Sequence, residues 1–117
     1  MAHIDFNTHI SVSFNKELED LRNAVLVMGG EVEQQLFNVI QAIQFNEASR
    51  AEKVVLNDMR INQLEVEIDK ECLRILATRN PTASDLRLVM TVSKTTTDIE
   101  RMGDEIARVA KYISQGI

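Results

Sequence analysis

Apolar residues recur at spacings of three and four along three long stretches of the chain, which is the pattern of amphipathic helices. The stretches run from about Phe14 to Phe45, from about Glu47 to Thr78 and from about Ala83 to Ser114. At 1.5 Å per residue, the first helix would be roughly 45 Å long. The pattern therefore predicts an all-α fold, an elongated antiparallel three-helix bundle.

A narrow apolar stripe on the first helix is predicted to face the core, and two glycines interrupt it. The stripe comprises Leu18, Leu21, Val25, Met28, Val32, Leu36, Val39 and Ile43. Gly29 and Gly30 each cost about 1 kcal/mol relative to Ala in a helix interior. Because the apolar phase continues unchanged across them, we interpret the pair as a site of close helix approach.

The connection between the second and third helices carries clear turn signals. Asn80 and Pro81 do not continue a helix easily, and Thr82 to Asp85 has the Thr-x-x-Asp pattern of a capping box. We expect the tightest turn of the bundle here. Residues 1–13 are polar and aperiodic, so the predicted organisation is a mobile tail over 1–13 and one bundle over 14–115.

Acidic and amide side chains run along the second and third helices beside the apolar positions. On a helical wheel, those of the second helix fall within about 40° of one another, between two apolar flanks. Antiparallel pairing about Pro81 brings Asp58 level with Asp104 and Asn62 level with Glu100, whereas Asp69 lies roughly 10 Å further along. The full set is Asp58, Asn62, Glu65 and Asp69 on the second helix and Glu100 and Asp104 on the third.

Such a stripe needs a neutralising partner, because a buried carboxylate without one is unfavourable by several kcal/mol. A cation is one candidate: carboxylate and amide oxygens suit hard or borderline metal ions such as iron, zinc, manganese or magnesium. An interhelical network with Arg101 and Arg108 is the other. The spacing alone leaves both open, and it does not identify a metal.

Charge and composition exclude several functional classes. The net charge of −5, with no face that clusters Lys and Arg, argues against nucleic-acid binding. A single cysteine, Cys72, cannot form an internal disulfide, and no apolar run approaches the ~20 residues that span a bilayer. We therefore expect a reduced, cytoplasmic protein that meets membranes only peripherally, through partners.

Motifs in a fixed order over nearly the whole chain resemble the PhoU family of phosphate-signalling proteins. They extend from about His9 to Ile113 and include Met28-Gly29-Gly30, Asp58-x3-Asn62-x2-Glu65-x3-Asp69, the turn Asn80-Pro81-Thr82-Ala83-Ser84-Asp85-Leu86-Arg87, and Asp98-Ile99-Glu100-Arg101-Met102-Gly103-Asp104.

The resemblance implies a PhoU-like three-helix repeat that holds metal ions on Glu65-x3-Asp69 and Glu100-x3-Asp104. It also implies a negative regulator of phosphate uptake and of the phosphate-starvation response. The implied partners are the phosphate ABC transporter ATPase and its sensor histidine kinase. PhoU proteins usually carry two copies of this repeat, so the chain is expected to be an amino-terminal half or a single-repeat relative, and to form a homodimer through its exposed apolar face.

Two other functional classes remain as alternatives to a regulatory, non-catalytic module. A carboxylate-bridged metal enzyme normally uses Glu-x-x-His pairs on facing helices. Here both histidines, His3 and His9, lie in the predicted tail, and a histidine phosphotransfer bundle is disfavoured for the same reason. A purely structural helical adaptor is the third interpretation. No catalytic residue is predicted.

Overall fold

Three long helices make up the structure, a computed structural model that describes the backbone of residues 2–116 and the side chains of residues 12–116. They are α1 (Ala2–Phe45), α2 (Ala48–Thr78) and α3 (Ala83–Ser114), and each packs against the other two. The principal extents are 68 × 18 × 18 Å. The predicted all-α, elongated three-helix bundle is confirmed. Within the described residues, no helix contains a stretch with the hydrophobicity of a membrane span.

The first helix begins earlier than the apolar pattern predicts. It starts at Ala2, whereas the periodicity of its core residues becomes clear only near Phe14. Residues 2–13 contain no Gly or Pro, and each residue added to an existing helix gains a backbone hydrogen bond without a new nucleation step. The side chains of residues 1–11 lie outside the described part of the chain, so the mobility expected for 1–13 stays a prediction.

The tightest connection is the one between α1 and α2, not the one at Pro81. Only Asn46 and Glu47 separate these helices, and Asn46 takes a left-handed φ of 55°. The Glu47 N–H donates to the carbonyl of Ala42 at 3.0 Å, which closes the end of α1. Asn tolerates this conformation better than most residues, so the chain reverses here with no glycine.

The connection from α2 to α3 is longer but caps its helix as predicted. Residues 79–82 separate Thr78 from Ala83. The Thr82 hydroxyl accepts a hydrogen bond from the Asp85 N–H at 3.3 Å, and the Leu86 N–H donates to the Thr82 carbonyl at 2.9 Å. The start of α3 therefore follows from its N-cap residue.

The core consists of two clusters of buried residues along the bundle axis, and the partly buried Ile106 packs against both. Its largest fully buried side chains are Leu21, Met28, Val54, Ile61, Ile75, Val89 and Thr96. Two members of the predicted α1 stripe are exposed instead, Leu36 by 46% and Ile43 by 59%. The buried positions of α1 keep a seven-residue repeat, as in a coiled coil, so Gln35 and Ala42 follow Met28 into the core and Leu36 and Ile43 lie one position beyond it.

Ion pairs fix the antiparallel register of α1 against α2. The Arg79 guanidinium donates to both carboxylate oxygens of Glu17, at 2.6 and 3.1 Å, and Arg60 donates to Glu31 at 3.0 Å. The hydrogen bond from Arg79 is the main reason that the pKa of Glu17 lies below its usual value. Glu17 is therefore ionised at neutral pH, and its ion pair with Arg79 ties the carboxyl end of α2 to α1.

Candidate functional site

Four carboxyl groups lie along the seam between α2 and α3: Asp58 and Glu65 on α2, and Glu100 and Asp104 on α3. The pKa of Glu100 is raised to about 7. The largest cause is a hydrogen bond with the Asp104 carboxyl, followed by partial burial and by the negative charges of the other three groups. Each acid thus makes ionisation of Glu100 less favourable, so the four groups share one electrostatic environment.

Asp58 is the innermost of these acids. Its Oδ1 atom is buried and has no hydrogen-bond partner among the described residues. Burial is the main reason that its pKa is raised, and the charge of Asp104 and a hydrogen bond with Asp104 add to the effect. A buried oxygen with an unfilled acceptor site favours any neighbour that supplies a proton or a positive charge.

Gly103, to which the apolar pattern assigned no role, creates the space that Asp58 occupies. A Cβ atom at position 103 would lie 3.5 Å from Asp58 Oδ1 and 3.3 Å from Ile61 Cγ2. By contrast, a Cβ at Gly29 would meet only Ile99 Cδ1 at 4.0 Å, and one at Gly30 would meet nothing within 4 Å. The close helix approach expected at Gly29-Gly30 therefore occurs at Gly103, between α2 and α3.

Asn62 and Asp69 stand apart from the central acids. The Asn62 side chain is exposed and makes no hydrogen bond within the described residues. Asp69 contributes to the raised pKa of Glu65, after burial, but it also lines a separate cleft towards the α2–α3 turn with Cys72 and Ser93. The structure therefore brings together four of the six residues predicted to bind metal and places these two at the edge.

Arg101 and Arg108 do not neutralise the seam. Arg101 lies 3.8 Å from Asp98, and Arg108 lies 3.4 Å from Glu105, each within its own helix. None of the ion pairs in the described part of the chain includes the four seam carboxyls or Asp69. The interhelical arginine network, which the sequence left open, is not present.

The acids lie at the border of the core instead of inside an apolar sector. On α2, the flank that contains Ile61 and Ile68 is buried, as predicted. The other flank is not: Met59 is 68% exposed, Val66 49% and Leu73 67%. The sequence indicated two apolar flanks correctly, but periodicity cannot distinguish an apolar surface that meets the core from one left for a partner.

The donor set suits a hard cation, although the side chains are not gathered around one point. All four groups offer carboxylate oxygens, and Asp58 Oδ1 is an acceptor that lacks a partner. Among the described residues, no three His, Cys, Asp or Glu side chains are close enough to hold a metal ion as they stand. An ion here would draw Glu65, Glu100 and Asp104 towards Asp58, and its positive charge would offset their repulsion.

Comparison with known proteins gives a consistent result across most of the chain. The family model described as "PhoU domain" matches residues 25–113. The phosphate-specific transport system accessory protein PhoU of Escherichia coli K12 is 47% identical over 111 residues, which cover 95% of this chain and 46% of that protein. The PhoU homologue of Pseudomonas aeruginosa is 50% identical over 107 residues, which cover 92% and 44%.

Solved structures show the same similarity in three dimensions. The crystal structure of PhoU from Pseudomonas aeruginosa superposes with a TM-score of 0.84 at 48% identity, over 87% of this chain and 49% of that one. The phosphate transport system regulatory protein PhoU from Streptococcus pneumoniae gives a TM-score of 0.82 at 34% identity, over 87% and 48%. The chain thus spans about half the length of the relatives it matches.

Proposed function

The chain belongs to the PhoU family, and from this premise we propose that it is an accessory regulator of a phosphate-specific transport system. It restrains phosphate uptake and the phosphate-starvation response through contacts with the phosphate ABC transporter ATPase and the sensor histidine kinase. The observation that carries the proposal is the identity of 47% over 95% of the chain to a protein named for this accessory role.

The proposed role is non-catalytic and cytoplasmic. The relatives are named as accessory or regulatory proteins, which supports a role in binding and signalling. The transporter lies in the membrane, and the regulator contacts the membrane only through its partners. A carboxylate-bridged metal enzyme receives less support, because none of the seam residues is a histidine.

The seam acids give this regulator a cation-dependent surface. In this proposal Asp58, Glu65, Glu100 and Asp104 hold a divalent or trivalent ion such as iron, zinc, manganese or magnesium, while Asn62 and Asp69 serve as outer or second-ion ligands. The shared rise in the pKa values of Asp58, Glu65 and Glu100 and the unpartnered oxygen of Asp58 support it. A bound cation would order this face of α2 and α3 for recognition by a partner.

Self-association is the second part of the proposal, and the exposed flank of α2 supports it. Met59, Val66 and Leu73 follow one another at intervals of seven residues and are all about half exposed or more. Because Met59 and Leu73 are equally far from Val66, two antiparallel copies of α2 related by a twofold axis would pair Met59 with Leu73 and Val66 with itself. Sedimentation of wild type against Val66→Lys tests the homodimer.

The regulatory role is tested in bacterial cells that lack their own PhoU protein. Expression of this chain should lower phosphate uptake and a phosphate-starvation reporter when phosphate is abundant, and purified chain should retain the transporter ATPase and the sensor kinase in pull-down assays. Folded chain that binds neither partner and leaves uptake and reporter unchanged would instead favour the structural adaptor. Turnover of a substrate that depends on bound metal would favour the enzyme.

A further inference from the structure

An apolar groove runs between α1 and α3, on a different face from the acidic seam. It has a volume of about 760 Å³ and is lined by Gly29, Val32, Leu36, Met102 and Ile106 together with charged residues at its rim. Val32 forms a buried floor, whereas Leu36 and Met102 are 46% and 56% exposed at its walls. The groove therefore exposes apolar surface to solvent, and no other part of the described chain fills it.

The apolar surface continues from the groove towards the carboxyl ends of both helices, which run in the same direction. On α1, Ile40 and Ile43 follow Leu36 by four and seven residues and are 50% and 59% exposed. On α3, Val109 follows Met102 by seven residues and is 42% exposed. Two parallel rows with this spacing form a channel that matches the apolar face of an amphipathic helix, which repeats with the same period.

The rim of the groove is acidic on both sides. It carries Glu33 from α1 and Asp98 and Glu105 from α3, against a single basic residue, Arg101. Arg101 is already within 3.8 Å of Asp98, and Glu105 is within 3.4 Å of Arg108. Glu33 makes no ion pair within the described residues. A ligand with positive charge beside its apolar face would therefore gain attraction here, most of all next to Glu33.

The same charges argue against a second copy of this chain as the occupant. Residues 23–45 of α1 contain Glu31 and Glu33 but no Lys or Arg. A second copy with a net charge of −5 would bring the same acidic rim into contact with itself, and like charges placed opposite each other are unfavourable. A helix with basic residues along its flanks meets both requirements of the groove, the apolar one and the electrostatic one.

We propose that the α1/α3 groove is a docking site for an amphipathic helix of a partner protein whose apolar face is flanked by Lys or Arg. The helix lies along the groove with its apolar residues between Leu36 and Met102, and its basic residues meet Glu33 and Glu105. This site is independent of the seam between α2 and α3. Metal binding at the seam and regulation of phosphate uptake can each fail while the groove still binds its helix.

The experiment uses the full chain and a fluorescent designed peptide, a helix of about five turns with a Leu and Ala face and Lys along both flanks. A matched peptide carries Glu in place of every Lys. The Lys peptide should bind at least about tenfold more tightly than the Glu peptide at low salt, and the difference should shrink at high salt because exposed charges are screened. Fluorescence anisotropy measures both affinities.

Variants locate the binding site. Met102→Gln keeps the size of the side chain but removes its apolar character. The affinity for the Lys peptide should fall by about tenfold, as it does when a contact near the centre of an interface is removed. Glu33→Gln should weaken it less, and only at low salt. Leu56→Gln on α2, at a position that is 70% exposed and outside both the groove and the proposed dimer surface, is the matched control and should change nothing. Unchanged melting temperatures confirm that all three variants are folded.

Several results would overturn the proposal. Equal affinity for the two peptides would show that the groove has no preference for basic flanks, and full binding by Met102→Gln would place the peptide elsewhere. Loss of binding by Leu56→Gln would assign the peptide site to α2. If sedimentation shows that Met102→Gln, but not Val66→Lys, separates an oligomer of the chain, the occupant is a second copy and not a basic helix.

Discussion

Asp58 Oδ1 lies in the space that Gly103 leaves open, 3.5 Å from the position a Cβ atom would take. A larger residue at 103 would contact this oxygen and the buried Ile61 at the same time. The glycine therefore does more than permit two helices to approach. It allows a carboxylate to sit at the edge of the core, beside Asp104, with one oxygen shielded from water.

Replacing Gly103 by Leu should separate α2 from α3 at the seam. The Leu side chain has to displace Ile61, which is 1% exposed, and overpacking of this kind costs about 1–3 kcal/mol. The higher helix propensity of Leu relative to Gly offsets less than about 1 kcal/mol of this cost. We therefore expect net destabilisation of about 1 kcal/mol, measured by urea unfolding.

Gly30→Leu is the control for that measurement. Nothing lies within 4 Å of a Cβ at position 30, so the helix-propensity gain of up to about 1 kcal/mol is not opposed. The two glycine variants should therefore change stability in opposite directions. Equal stabilisation by both would mean that α2 and α3 are not closely packed at Gly103.

Ile68→Asp should unfold the bundle. Ile68 is 3% exposed at the centre of the core, and burial of an uncompensated carboxylate there is expected to cost about 4 kcal/mol or more. That is a large share of the ~5–15 kcal/mol that stabilises a typical domain. Leu56→Asp places the same charge on α2 at a position that is 70% exposed and outside the proposed dimer surface, and it should cost no more than about 0.5 kcal/mol. Circular dichroism during thermal unfolding compares the two, and similar melting curves would contradict the arrangement of the core.

Helix positions and register followed from the sequence because they depend on local signals. Periodicity defined the extent of α2 and α3, and the Thr82 cap set the start of α3 to the residue. Pairing across the turn correctly put Asp58 beside Asp104. By contrast, the reversal at Asn46 was not identified as the tightest turn, since Asn takes a left-handed conformation in only some of its contexts.

The partners of the seam acids could not be predicted, because they depend on three-dimensional direction. Arg101 and Asp104 are three residues apart, which is close enough for an ion pair on one helix. In the structure Arg101 points to the side of α3 that borders α1, where it pairs with Asp98, while Asp104 faces α2. Which apolar flank of α2 remains exposed likewise depends on how three helices pack, and periodicity along one helix does not contain that information.

Glu100→Gln should stabilise the protein increasingly as the pH rises. The pKa of Glu100 is raised from 4.5 to about 7 in the folded state, first by its hydrogen bond with Asp104. Between these values the folded state binds more protons at this group than the unfolded state, so the contribution of Glu100 to stability falls as the pH rises through this range and is constant above it. Gln carries no charge at any pH and should not show this loss.

Urea unfolding from pH 4.5 to 8 measures the difference between Glu100→Gln and wild type. The difference should grow between pH 4.5 and about 7 and then level off. Glu52→Gln, an exposed position on the outer side of α2, is the control and should keep a constant offset from wild type. A difference for Glu100→Gln that does not depend on pH would mean that the seam carboxyls do not interact.

A divalent cation should raise the melting temperature of wild type, because it binds the folded seam and offsets repulsion among four carboxylates. At about a hundred times its Kd, a ligand of the folded state adds about 2.7 kcal/mol, which shifts the melting temperature of a small domain by several degrees. Without metal, Glu100→Gln/Asp104→Asn should melt above wild type, and it should not respond to manganese, iron, zinc or magnesium. Glu52→Gln/Glu67→Gln removes the same total charge from the exposed side of α2 and should respond to metal as wild type does. If wild type ignores every one of these ions and the seam variant melts lower, the acids are stabilised by neighbours within the protein, and the cation site is wrong.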